Sequence, residues 1–337
     1  MRLVAYLLVM GCFALSPFTL FATIFVGGHE GNIWTDYRNW SPQQVPGGGD
    51  EAIIPENKQV VVNGQIAVGS LILAGTLFSD GNPNSKLTIN TSFSWTDGSV
   101  GVPVYLGNGC AALWQGSLGL NANLFNSGEV TVSADVFINY AILKNEADGV
   151  LNLTDGHKFQ IINNPAVLDN YGTVRRTGLG GVFQILLGGH TNQPGSETIV
   201  EAGELYAASL DNYAPINIAA GATFHSYDFR IYNGTAFTGG GLLKSTGNGM
   251  YMNNTDLITI EVAETELNSQ GIKQTGPITF LHHLNWMGGT LFAQVTFAPG
   301  SLVDINPGNG KGITNTTTNH GTINVNDSFG FDIGRLD

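Results

Sequence analysis

The sequence predicts an all-β fold, a single-stranded parallel β-helix, on three observations. Short alternating apolar runs recur from end to end, turn motifs built on Gly repeat among them, and no stretch carries the apolar spacing of a long amphipathic helix. The runs include Val60–Val62, Leu87–Ile89, Val130–Val132, Leu151–Leu153, Ile216–Ile218 and Ile323–Val325. Bounded by Gly or Asn, each reads as a strand of roughly four to six residues.

The turn motifs take three forms. The first enters a strand through a small or Asn-containing approach and a Gly: Asn126-Ser127-Gly128, Asn170-Tyr171-Gly172 and Asn319-His320-Gly321, with Ala147-Asp148-Gly149 and Glu201-Ala202-Gly203 as degenerate copies. The second is strand, tight turn, strand, as in Ile216 to Phe224 around Gly221 and Val295 to Val303 around Gly300. The third sets an aromatic residue ahead of Gly, in Trp95 to Gly98, Phe237 to Gly240 and Trp286 to Gly289. Gly172 and Gly221 are expected at positive φ, where a Cβ is disfavoured. The first motif returns at intervals of roughly 20–30 residues, the size of one coil. A coil cannot bury its apolar face alone, so coils must stack about 4.8 Å apart into a rod on the order of 50–70 Å long. Tandem β-sandwiches are the alternative, although no Pro/Ser-rich linker divides the chain.

Composition fits this reading. The 337 residues are 42% hydrophobic and only 12% charged, against about 25% charged in an average protein. The 46 Gly suit a fold of many tight turns. A formal charge of −13 argues against nucleic acid, whose phosphates demand cations, and against docking on anionic membranes.

The start reads as a secretory leader. Arg2 gives a positive beginning, Leu3 to Gly11 is apolar, Pro17 breaks the helix, and Ala22 offers a small residue for cleavage. The expected organisation is therefore 1–22 signal peptide, 23–80 entry and capping segment, and 81–337 β-helix repeats, with the mature chain secreted or on the cell surface and not inserted in the membrane. Cys12 leaves with the leader, and Cys110 is then a lone, buried thiol.

The opening segment, Gly31-Asn32-Ile33-Trp34, Asn39-Trp40-Ser41, Val45-Pro46-Gly47, Asp50 and Ile53-Ile54-Pro55, resembles the Trp-rich entry of bacterial secreted and cell-surface right-handed parallel β-helix proteins and the related G8-type domain. Leu168 to Val174 resembles their interior repeats. Members serve as adhesins or matrix proteins and sometimes flank carbohydrate-active modules, so the resemblance implies a place and a shape more than a reaction.

Residues that could carry chemistry are few. Trp34 and Trp40 could stack on sugars, but large aromatics at the first coil are better read as its cover; Trp95 and Trp286 read as core. Gly47-Gly48-Gly49-Asp50 is similar to a calcium loop but occurs once, and His282-His283 would point to opposite faces of a strand. Glu264 and Glu266 could share a strand face, opposed by Glu261, and Asp148 with Asp155 is a second acidic grouping; a carboxylate pair could serve a glycosidase. Arg175-Arg176 lies just after a strand. Thr314, Thr316, Thr317 and Thr318 form one cluster without recurrence, short of an ice-binding array. No catalytic, cofactor-binding or metal residue is assigned and no cofactor is expected.

The expected function is a secreted or cell-surface structural, adhesin-like β-helix protein without catalytic activity. The alternative is an extracellular protein that binds or degrades polysaccharide. Partners would be a polysaccharide or another surface protein. The last repeats, through Phe331 and Ile333, lack a charged or helical tail, which suggests an abbreviated copy of a longer rod or an edge for end-to-end association.

Overall fold

The structure, a computed structural model, describes residues 22–163, 166–274, 276–308 and 310–326 and the backbone of 332–333. Residues 1–21 of the expected leader, with Cys12, and Phe331 lie outside the described residues. The chain is a parallel β-solenoid of about 14 turns, roughly 65 Å of rod at ~4.8 Å per turn. The tandem-sandwich alternative falls: of the described strand pairings, all are parallel except that of Ala22–Phe25 with Trp40–Ser41.

One coil shows the plan. Val150–Leu153 lies in a first sheet, Lys158–Asn163 in a second and Val167–Asn170 in a third, before Thr173–Arg176 returns to the first in register above Val150–Leu153. We call these sheets I, II and III. Among the interior coils the length varies from 17 residues, Pro277 to Gln294 (294 − 277), to 26, Lys158 to Gln184 (184 − 158). The variation is absorbed at corners, so the register within each sheet is kept.

Alternation decides what goes inside. Glu129–Asn139 turns every second side chain inward, and its inward residues are buried from Val130 to Ile138. Equivalent residues then stack coil on coil: Val130 on Leu151, Leu151 on Val174, and Val174 on Thr198, all fully buried. Each large aliphatic side chain so buried contributes about 1.5–3 kcal/mol.

Large aromatics cover the first coil, as expected. Trp34 donates its backbone N–H to Val61 O at 2.8 Å. Trp40 Nε1 donates to Trp34 O at 2.7 Å, and the two rings meet edge to face at 4.9 Å. Both are 1% exposed or less, as are Trp95 and Trp286. None of the four is open to a sugar.

At the corner between sheets III and I runs a buried ladder of asparagines. Asn126, Asn145, Asn170, Asn192 and Asn212 occupy one register position. Each Nδ2 donates to the Oδ1 of the next, at 2.8, 2.9, 3.0 and 2.8 Å. This explains the first turn motif. In Asn126-Ser127-Gly128, Asn170-Tyr171-Gly172 and Asn319-His320-Gly321 the Asn Oδ1 accepts the N–H of the Gly two residues on. Buried amides need such partners, and here each coil supplies the next.

Two glycine expectations separate. Gly221 has φ 79° with open space around it. Gly172 is not at positive φ; it is required because a Cβ there would come within 2.2 Å of Gly149 O. In the Asn-x-Gly copies the motif is a close backbone approach and not a left-handed turn, whereas Gly203 of the degenerate copy sits at φ 65°.

Candidate functional site

Two rows rich in ionisable side chains run along the outer face of sheet II. One row runs Tyr206, His225, Lys244, Glu266, Asn285, Asp304 in register; beside it run Glu204, Thr223, Leu242, Glu264, His283, Leu302. Outward positions alternate along a strand, so Glu204 and Tyr206, Glu264 and Glu266, and His283 and Asn285 come from neighbouring rungs of the same strand.

These groups are tied to one another across coils. His225 bridges three coils, Nδ1 to Glu204 Oε1 at 2.9 Å and Nε2 to Thr246 Oγ1 at 2.8 Å. The Tyr206 ring meets it edge-on at 4.8 Å. Lys244 Nζ pairs with Glu266 Oε1 at 3.1 Å. His283 Nε2 reaches Asp304 Oδ2 at 2.9 Å, with its Nδ1 3.9 Å from Glu264. Asn324 donates to Asp304 Oδ1 at 2.9 Å, and this bond, followed by His283, holds the Asp304 carboxyl below its ordinary pKa.

Glu264 and Glu266 therefore do share a face, as the spacing predicts, but they do not converge on a cleft. A shallow depression of about 220 Å³ at the corner of sheets I and II touches Glu264 and not Glu266. Glu261 does not oppose them. It points outward from sheet I, because the chain turns the corner through exposed Ala263 and breaks the alternation. Asp148 and Asp155 stand at the two ends of Val150–Leu153, on different corners.

The remaining candidates disperse. Asp50 Oδ2 accepts the Gly47 N–H at 2.8 Å, closing its own loop. His282 sits exposed at a corner while His283 is engaged in sheet II. Among the described residues no group of three His, Cys, Asp or Glu is placed to hold a metal. Burial pushes the Cys110 thiol up to about 11, which leaves it a poor nucleophile. Threonines do recur, contrary to the sequence reading: Thr259, Thr279, Thr296 and Thr318 share one outward register on sheet I. The row is single, flanked by Pro277 and Gln294, and forms no paired array.

Several outer aromatics on sheet III and at its corner with sheet I have a face occupied. Tyr105 and Phe125 stack at 4.5 Å with Lys86 over Tyr105; Tyr213 and Tyr232 stack at 4.1 Å; Lys144 covers Tyr171 and Lys273 covers Tyr251. They join coils more than they offer surfaces.

Two interior residues escaped the sequence reading. Arg175-Arg176 ends a strand instead of following one. Arg175 points out, 3.3 Å from Glu201 Oε1, while Arg176 is fully buried and donates to four backbone carbonyls, Leu153, Gly180, Gly181 and Glu204, at 2.9–3.3 Å. His190 is buried beside Leu168, and its ring nitrogens have no partner of hydrogen-bond geometry, the Asn192 amide being committed to Thr198 and Asn212. Burial lowers its pKa to about 4. Alternation from Val174 could have placed Arg176 inside.

No protein-family model, curated protein or solved structure matches the chain. Its class is that of the parallel β-solenoid repeat proteins, defined by its own ladders.

Proposed function

We propose that the chain is a secreted or cell-surface rod of structural, adhesin-like role, without catalytic activity. The observation that carries this is the mutual engagement of the outer side chains. On sheet II, Glu204, Glu266 and Asp304 are each held by a histidine or lysine of an adjacent coil. The faces are thereby knit lengthwise into a stiff, repetitive exterior. The leader-like start and the likeness of the Trp-rich entry to bacterial surface β-helix and G8-type segments support the location.

The test has two arms. Full-length protein is expressed and fractionated, and its N-terminus is sequenced; a mature start near Thr23 outside the cytoplasm is expected, and intact Met1 on a cytoplasmic protein sinks the location. Purified rod is then incubated with extracellular polysaccharides. Release of reducing or unsaturated ends that is lost in Glu264→Gln or Glu266→Gln would replace this reading with the polysaccharide-degrading one, which the shared face of those carboxylates favours.

A further inference from the structure

We infer that Thr246 is an activated nucleophile that takes the acyl group of a carboxylic ester, with His225 as its base and Glu204 as the positioning residue. The inference gives the adhesin-like reading a covalent means of attachment, and it rests on that reading only for where the ester is met.

The three residues stand on successive coils of sheet II. Tyr206, His225 and Lys244 share one register position, with Glu204 two residues before Tyr206 and Thr246 two residues after Lys244. Glu204 and Thr246 therefore flank His225 diagonally, one coil before it and one coil after. Glu204 Oε1 lies 2.9 Å from Nδ1 and Thr246 Oγ1 lies 2.8 Å from Nε2. Both distances are within the reach required of a nucleophile, its base and an orienting acid. The Tyr206 ring, edge-on at 4.8 Å, limits rotation of the imidazole.

The contacts set the proton positions. A carboxylate only accepts, so the neutral ring carries its proton on Nδ1, and Nε2 is left to accept from the Thr246 hydroxyl. Thr246 Oγ1 makes no other hydrogen bond among the described residues, so its lone pairs remain available for attack. The residue is half-buried and still reachable from solvent. Two other histidines of sheet II and its corner differ. His283 has a carboxylate toward each nitrogen, Asp304 and Glu264, and His157 has Asp135 alone. A strap between coils needs only such charge pairs. A hydroxyl on the second nitrogen is what acyl transfer needs.

Space and a polar donor lie beside that hydroxyl. Gly247 follows Thr246, and Asn268 is the register partner of Thr246 on the next coil. Both line a concavity of about 430 Å³ that no charged residue borders, which admits a neutral ester. Asn268 makes no side-chain hydrogen bond among the described residues, so its amide is free to donate to the carbonyl oxygen as that oxygen gains charge. Thr246 Oγ1 bonds to the carbonyl carbon while its proton passes to His225 Nε2. The ester C–O bond then breaks, and the same proton leaves with the alcohol. The product is a threonine acyl ester, with one alcohol released for each rod.

The test uses p-nitrophenyl acetate on the purified full chain. One equivalent of nitrophenol should appear in a burst, with one acetyl group placed on Thr246 by peptide mass mapping. Thr246→Val should abolish that burst and Thr246→Ser should keep it. His225→Gln should slow it about a hundredfold or more, and Glu204→Gln and Asn268→Ala about tenfold or more each. His157→Gln should leave the rate unchanged. Melting curves matching the parent establish that the variants fold; if a His225 or Glu204 variant melts early, the near-isosteric Thr246→Val, set against Thr246→Ser, decides. An unlabelled Thr246 overturns the proposal, and so does labelling that keeps its parental rate in His225→Gln. Turnover far beyond one equivalent that disappears in Thr246→Val would keep the nucleophile and overturn the non-catalytic part of the structural reading. Labelling of a protein that stays in the cytoplasm would overturn only its location.

Discussion

Asn145 donates its Nδ2 to Asn170 Oδ1 at 2.9 Å, joining residues 25 apart in sequence but one coil apart in space. Asn170 passes the pattern on to Asn192, so each amide is both donor and acceptor within an apolar stack. Replacing Asn170 with Leu removes both bonds and leaves the Asn192 acceptor and the Gly172 N–H without their partners, while Asn145 Nδ2 keeps the carbonyls of Gly149 and Thr173. A loss of about 2–4 kcal/mol is expected, read from the midpoint of urea unfolding. Asn126→Ala, at the ladder's end, should cost about half as much. Parental stability in Asn170→Leu would show that the ladder is only a passenger of the coil packing.

Gly172 and Gly221 should respond in opposite proportion to their conformational strain. Ala at Gly172 meets Gly149 O at 2.2 Å and Glu146 O at 2.3 Å, so the corner must open, at about 3 kcal/mol or more. Ala at Gly221 meets no atom within 4 Å and suffers only its φ of 79°, about 1–2 kcal/mol. Thermal melts of the two variants give the order. If Gly221→Ala proved the worse, the close-approach account of the Asn-x-Gly corner would be wrong.

These corners also show why the fold was legible and the surface was not. Alternation in Val130–Val132 or Leu151–Leu153 is a local signal, and the Asn-x-Gly copies at Asn126 and Asn170 mark one corner, although Asn319-His320-Gly321 turns from sheet I to II and Asn306-Pro307-Gly308 from II to III. The other motifs mix corners: Trp95 to Gly98 turns from sheet I to II, whereas Trp286 to Gly289 turns from II to III. Surface rows depend on register, and register depends on coil length. Steps of 20, 17 and 22 residues separate Thr259, Thr279, Thr296 and Thr318 (279 − 259, 296 − 279, 318 − 296). No fixed period finds such a row. The same irregularity hid the asparagine ladder and the His225 and His283 bridges, and the corner at Ala263 defeated the simple alternation used for Glu261.

Arg176 should prove a fastener for the corner segment 177–181. Its guanidinium donates to four carbonyls, two of them those of Gly180 and Gly181. Desolvation works against this charge and lowers its pKa, so the hydrogen bonds must be retained for the residue to stay inside. Arg176→Met keeps the volume but releases the Gly180 and Gly181 carbonyls from the interior, while Leu153 O keeps the Thr177 N–H; a loss of about 2–4 kcal/mol is expected. Arg176→Lys should recover little of it, because an ammonium has three donors on a point and not a planar fork. Leu179, already 88% exposed, should become the first site of chymotryptic cleavage in both variants. An uncut segment in Arg176→Met would place its anchor elsewhere.

His190 should make the rod weaken with acid over a defined range. Its folded pKa is about 4, against about 6.5 for the unfolded chain. Between those values the unfolded state binds more protons, so stability rises with pH. The sign follows: above pH ~6.5 the neutral ring costs nothing through this route, the penalty grows as pH falls, and it levels off below pH ~4 at about 3 kcal/mol. The carboxylates of Asp36, Asp80 and Asp304, held below 3.8, lose their contribution only under that range, so the two windows separate. His190→Leu continues the stack of Leu168 and Leu210 and removes the titrating group. The measurement is the difference in unfolding midpoint between parent and His190→Leu at half-unit steps from pH 7.5 to pH 4. The variant should gain on the parent steadily below pH ~6.5, and a difference that stays flat across the range would mean the ring is protonated or hydrated inside the rod.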